Sequence, residues 1–230
     1  EVQLTDAFFA DPEAVGLSYV IPIRLTASAD SILQGKAKDG IENPNRLVPD
    51  HWAVQPKDYI FYAVKYKNPY HGCWIKGTDV IENNGETSTV ARMPELWEKG
   101  TLRYLTTKSL TTSVYTFTPA VPIIDETGKK ADTNLLCELL IDINDQGACT
   151  VSTTSEGCTA SGSGKWVRQG EPKAWGDKDR DLLELNYTFT IDYVYNAQTG
   201  QHATYKLSSD ERMVMQSRQN KLEEFKFTLK

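Results

Sequence analysis

The sequence predicts an all-β chain organised in two segments. Three observations predict it. Apolar and polar residues alternate with period two through most of the 230 residues. Turn-forming strings recur every ~8–12 residues in the second half of the chain, as in antiparallel sandwiches and barrels. Helix signals are nearly absent.

The elements follow in chain order. "LSYVIPIRLTA" places Leu17, Tyr19, Ile21, Ile23 and Leu25 on one face, a half-buried strand that Pro22 assigns to an edge or bulge. "DYIFYAVKYKN" carries apolar residues on both faces, which predicts a strand covered on both sides. Between them "SILQGKAKDGIENPNRLVPDHW" is rich in Gly, Pro, Asn and Asp and reads as a long loop. Asn84-Gly85 in "IENNGETST" is a hairpin-turn or linker signal, and the segment boundary is placed there, dividing residues 1–84 from 85–230. Strands are then expected in "TLRYLTTKSL", "SVYTFTPAV", "NLLCELLIDI", "ACTVSTT", "CTASGSGKWVRQG", "LLELNYTFTIDYVY", "QHATYKLSSDERMVMQSR" and "EEFKFTLK". "DPEAVG" and "MPELWEKG" are each expected to form one helical turn.

Composition excludes several functions. The formal charge is −6 and no Lys/Arg cluster stands out, so no nucleic-acid partner is expected. No apolar run reaches the ~18–20 residues of a membrane-spanning helix. Glu1-Val2-Gln3-Leu4 does not read as a secretory signal and is expected to be a processed or trimmed end.

The most suggestive string, "SEGCTASGSGKWVRQG", ends in a Gly164-Lys165 pair like that of a phosphate-binding loop. That motif needs a first glycine where Thr159 stands and a hydroxyl where Trp166 stands. The string is therefore expected to be a strand. Cys158, Ala160, Gly162, Gly164 and Trp166 would share one face, and the space over the two glycines would be either filled or open to a ligand. Asp177, Asp179 and Asp181 alternate as in a calcium loop, but Leu182 and Thr188 occupy its glycine and glutamate positions. His51, His71 and His202 are scattered and no nucleophile elbow is present, so no catalytic residue, metal site or cofactor is expected. Cys73, Cys137, Cys149 and Cys158 include no C-x-x-C pair. Cys149 and Cys158 are read either as free thiols or as partners across a hairpin. The candidate binding residues are the loop-associated aromatics Trp52, Tyr70, Trp74, Trp97 and Trp175, which either grip a ligand or plug the ends of the β layers.

"VQLTDAFFADP", "SYVIPIRLTAS", "DSILQGK" and "YAVKYKNPYHGCWIKG" resemble a domain of unknown function found in Bacteroidetes surface lipoproteins. The same domain type precedes the catalytic barrel of some endo-β-N-acetylglucosaminidases. "TASGSGKWV", "WGDKDRDLLELNY" and "TYKLSSDERMVM" resemble its C-terminal partner domain. The resemblance spans nearly the whole chain. It implies an immunoglobulin-like β-sandwich, incomplete at its N-terminus, followed by an antiparallel lipocalin-like β-barrel. It also implies a lipid-anchored extracytoplasmic protein of the outer-membrane surface, linked to glycan harvesting. The expected function is a non-enzymatic, monomeric binding module for a glycan or a surface protein complex, with any lipid anchor outside this chain. The alternatives are an apolar ligand, such as a lipid, in the barrel, and a structural or adhesin-like spacer.

Overall fold

A computed structural model describes residues 2–76, 78–91 and 96–225, with the side chains of Ile75 and Lys76 left aside. The chain is all-β and forms two compact units, residues 1–66 with 221–230 and residues 67–220.

In the first unit Asp11 caps a short 3-10 turn, Pro12–Val15, by accepting the Glu13 N–H at 2.9 Å. A short helix, Asp6–Ala10, precedes it, which the sequence did not suggest. Strand β1 (Tyr19–Arg24) pairs antiparallel with β4 (Tyr59–Val64), and β2 (Lys36–Ala37) with β3 (Trp52–Val54). β1 has a single pairing neighbour, as an edge strand carrying Pro22 should. β4 was expected to be covered on both faces, yet Ile60 and Tyr62 are about half exposed within this unit. Asp58 is fully buried beside β4, where Arg24 Nε (3.1 Å) and Arg46 Nη2 (3.0 Å) meet its Oδ2. Of the strand expected in "EEFKFTLK", residues 223–225 are not in a strand, and residues 226–230 lie outside the described residues.

The second unit holds β5 (Gly72–Lys76), β6 (Thr78–Asn83), β7 (Glu86–Ala91), β8 (Thr101–Thr107), β9 (Thr112–Phe117), β10 (Ala120–Ile124), β11 (Lys130–Asn134), β12 (Cys137–Ile143), β13 (Ala148–Ser152), β14 (Cys158–Trp175), β15 (Lys178–Asn196) and β16 (Gln201–Ser217). Pairings run β15-β14-β13-β12-β9-β8-β5-β16, and β16 pairs again with β15, so eight strands close a ring. Closure leaves these strands no open edge. β6 continues along β16 beyond β5 and carries β7, while the β10–β11 hairpin joins β15 by one parallel pair, Ile124↔Asn196.

The expected boundary at 84/85 falls inside this unit, at the tip of the β6–β7 hairpin. Asn84 (φ 49°) and Gly85 (φ 82°) supply the left-handed pair a two-residue turn requires. A linker and a hairpin share that chemistry, and only the pairing of β6 with β7 separates them.

The alternation read from the sequence becomes inside and outside. Leu183, Leu185, Tyr187, Phe189, Ile191 and Tyr193 of β15 are buried in the ring with Leu139, Ile141 and Ile143 of β12. Along β14, Cys158, Ala160 and Trp166 pack against the same core, while Ser161, Ser163 and Lys165 are exposed. The space over Gly162 and Gly164 is filled. A Cβ on Gly162 would run into Asn186 O and Tyr187, and one on Gly164 into Glu184 O and Leu185. Only glycine lets β14 lie this close to β15. The remaining interior between Leu105, Leu139, Ile141 and Met213 has no room for a water molecule.

Candidate functional site

The site grows out of β16. Its inward positions Ala203, Tyr205, Leu207, Met213 and Met215 are core residues, but Ser209 and Glu211 interrupt that apolar row and are equally buried. Register places Ser209 opposite Asp79 of β6 on one side and Tyr187 of β15 on the other. Ser209 Oγ donates to Asp79 Oδ1 at 2.6 Å and lies 2.9 Å from Glu211 Oε1, which also accepts from the Tyr187 hydroxyl at 3.2 Å. Arg103 of β8 completes the cluster. Its Nη2 stands 3.8 Å from Asp79 Oδ2, and its guanidinium lies 5.5 Å from the centre of the Tyr115 ring. Among the described residues the buried Nε of Arg103 has no hydrogen-bond partner, an uncommon cost for a buried donor.

Above this cluster lies a cavity of about 230 Å³. Asp79 and Arg103 line it with the aromatic rings of Tyr115, Phe117, Tyr187 and Tyr205. Burial makes all three phenols weaker acids: Tyr205 is pushed up to about 12, and Tyr115 and Tyr187 are raised above the usual phenol value as well. They are neutral hydrogen-bonding groups at any physiological pH. The filled core beneath gives the cavity a closed floor.

The sequence-selected aromatics lie elsewhere. Trp74 is completely buried and Tyr70 nearly so, both in the ring core. Trp52 is buried in the first unit, where its N–H donates to Asn45 O at 2.8 Å. These three plug their layers, because each ring is held by a backbone hydrogen bond or by core packing. Trp97 and Trp175 are half-buried and come together against Ala174, Leu182 and Val214, with the Arg212 guanidinium 5.8 Å from the Trp97 ring centre. Of "MPELWEKG", Trp97–Lys99 forms a 3-10 turn, and residues 93–95 lie outside the described residues. The three alternating aspartates do not converge. Asp179 accepts from Lys173 N–H and Asp181 from Gln169 N–H. Cys149 stands opposite Gly164 rather than Cys158, and all four cysteines are free thiols.

Sequence reasoning missed Asp79, Arg103, Ser209 and Glu211. The legible signal was the pair Ser209 and Glu211 at inward positions of a strand whose other inward positions are apolar.

The fold is a closed ring of antiparallel strands that carries, among the described residues, a charged, aromatic-walled cavity. Residues 69–219 match the family described as a domain of unknown function (DUF5627), and the chain belongs to that family. It is similar to a crystal structure of unknown function from Bacteroides ovatus, with 32% identity and a TM-score of 0.71 over 95% of this chain and 64% of that one. The chain thus spans less than two thirds of that relative's length. Weaker likenesses are a multidomain protein including DUF1735 from Bacteroides ovatus (9% identity, TM-score 0.36, 71% and 55% of the two chains) and an auxiliary nutrient binding protein from Bacteroides thetaiotaomicron (11%, 0.33, 84% and 56%). No curated protein matches the chain. No helix among the described residues is long and apolar enough to cross a membrane.

Proposed function

We propose that this chain is a non-catalytic binding protein whose ring cavity takes a small polar ring, the size of one sugar unit. The observation that carries this reading is the convergence of Arg103, Asp79 and four aromatic rings on one cavity. Its volume equals roughly eight waters at about 30 Å³ each, enough for a single pyranose. Aromatic faces suit the apolar face of a sugar, and a carboxylate with a guanidinium suits its hydroxyls. The orphan Nε of Arg103 is a donor for which a ligand oxygen is a fitting acceptor. An apolar chain is the poorer occupant, because it would strand these charges without water.

The eight-strand ring is proposed as a lipocalin-like barrel and the first unit as part of an immunoglobulin-like sandwich. An extracytoplasmic, lipid-anchored, monomeric protein of a glycan-harvesting surface complex is the matching cellular setting. The sequence resemblance supports it.

Calorimetry of the full chain against a panel of monosaccharides and short oligosaccharides tests the reading. Saturable binding lost in both Arg103→Leu and Asp79→Asn, with near-ultraviolet circular dichroism unchanged, is the expected result. No binding across the panel, or binding indifferent to both variants, overturns it. Loss in Trp97→Ala and Trp175→Ala instead would move the site to the half-exposed patch those residues form.

A further inference from the structure

The walls, floor and opening of the ring cavity decide how a ligand can lie in it. Tyr205 and Leu207 of β16 form one wall with Asp79 and Ile81 of β6. These strands are paired in register there, Leu207↔Ile81 and Tyr205↔Asn83, so a ligand cannot pass between them. Tyr115 and Phe117 of β9 form the facing wall with Arg103 of β8. β9 is also paired on both sides, Tyr115↔Leu105 with β8 and Phe117↔Cys137 with β12. The Tyr115 and Phe117 rings stack at 5.4 Å with 17° between their planes.

The two walls are tied together at depth. β6 and β8 share no ladder among the described residues, yet the Arg103 guanidinium stands 3.8 Å from Asp79 Oδ2 across the seam. Tyr187 is buried there and donates to Glu211 Oε1. Phe117 meets Phe189 of the core edge-on, with 5.1 Å between ring centres. The interior beneath, between Leu105, Leu139, Ile141 and Met213, has no room for a water molecule. Among the described residues that line the cavity, only Thr118 is exposed. It lies where the chain leaves β9 ahead of β10, which puts the opening beside Thr118 and Pro119.

Volume limits how much ligand enters. The cavity holds about 230 Å³, below the ~300–1,000 Å³ of pockets that enclose a drug-sized molecule. One pyranose fills it and leaves no space for a second unit. A chain cannot run through a cavity with a closed floor, so further units must leave by the way the first came in. We propose, resting on the sugar-pocket reading above, that the ring cavity recognises glycan ends. It takes one terminal unit of a linear chain, or a free monosaccharide, and leaves the remaining units in solvent beside Thr118. Internal segments of a polysaccharide are not ligands.

Calorimetry on the full chain tests this with glucose, galactose, mannose, xylose and N-acetylglucosamine, each beside a linear hexasaccharide built from it. A monosaccharide that binds and its hexasaccharide should agree in Kd within about tenfold, because units beyond the first add few contacts. Borohydride reduction opens the reducing-end ring of the hexasaccharide. Affinity retained after reduction assigns the non-reducing end, affinity lost assigns the reducing end, and both agree with end recognition. A hexasaccharide more than about tenfold tighter than its monosaccharide, or bound when the monosaccharide is not, would show a site spanning several units. That result overturns end recognition and leaves the sugar-binding reading in place. A monosaccharide bound without its hexasaccharide would restrict the site to free sugars and overturn it as well. No binding by any of these ligands removes the sugar-binding reading and this one with it. Thr118→Trp adds bulk at the opening without touching the core, and should weaken the hexasaccharide more than the monosaccharide. Equal effects on both would move the exit away from Thr118 and contradict the proposed geometry.

Discussion

The indole N–H of Trp74 donates to the backbone carbonyl of Tyr70 at 3.0 Å, with Trp74 completely removed from solvent. The hydrogen bond folds "NPYHGCW" back on itself, turning two candidate ligand-gripping aromatics into structural residues. Trp74→Ala should therefore cost about 3–5 kcal/mol through its cavity. Trp74→Phe should cost about 1–3 kcal/mol, because it strands a buried carbonyl. Urea unfolding measures both. Unchanged stability in Trp74→Phe together with lost sugar affinity would contradict the structural role.

Gly164 is a steric requirement and Gly85 a conformational one. A methyl group at Gly164 meets the Glu184 carbonyl, whereas one at Gly85 meets nothing within 4 Å. Gly85 has φ +82°, so Gly85→Ala should cost about 1–2 kcal/mol in backbone strain alone. Gly164→Ala should lie at the top of the about 1–3 kcal/mol range for overpacking, or beyond it. A thermal melt showing Gly164→Ala milder than Gly85→Ala would refute the tight β14–β15 approach.

Stability should hold from neutral pH to about 9 and then fall. Burial pushes Cys137 and Cys149 up to about 12, and Tyr205 up to about 12 from 10.0. Each group is protonated in both states at low pH. Above its unfolded value the unfolded chain releases the proton first, so unfolding is favoured as pH rises toward the folded value. Urea midpoints recorded from pH 8 to 12 should decline from about 9, with the tyrosinate absorbance of the buried phenols appearing only together with unfolding. Full tyrosine ionisation before any loss of structure would count against these buried phenols.

Asp58 is the charge hub of the first unit. The hydrogen bond from Arg46, and then that from Arg24, hold its carboxyl below the usual carboxylate value of 3.8. A depressed folded value means that its contribution is present above pH 3.8 and lost as pH falls below it. Asp58→Asn should lower the unfolding midpoint at pH 7 and have little effect near pH 2. An equal loss at both values would show that packing, not charge, is its role. Hydrogen exchange read from the β1 and β4 amides localises the effect to this unit.

What the sequence determined by itself is local. Period two along "CTASGSGKW" placed Cys158, Ala160 and Trp166 on one face, and in the structure that face packs against the core. Asn84-Gly85 announced a turn, and the failed phosphate motif announced a strand, because turn and strand chemistry act between neighbouring residues. Tertiary structure decided the rest. Asp79, Arg103, Tyr187 and Ser209 come from four strands, and only ring closure and register bring them together. Whether Trp74 faced a ligand or the core was equally beyond its local string, since burial is set by strands paired from distant parts of the chain. Period two says that a side chain points inward. The closed ring alone says what it meets there.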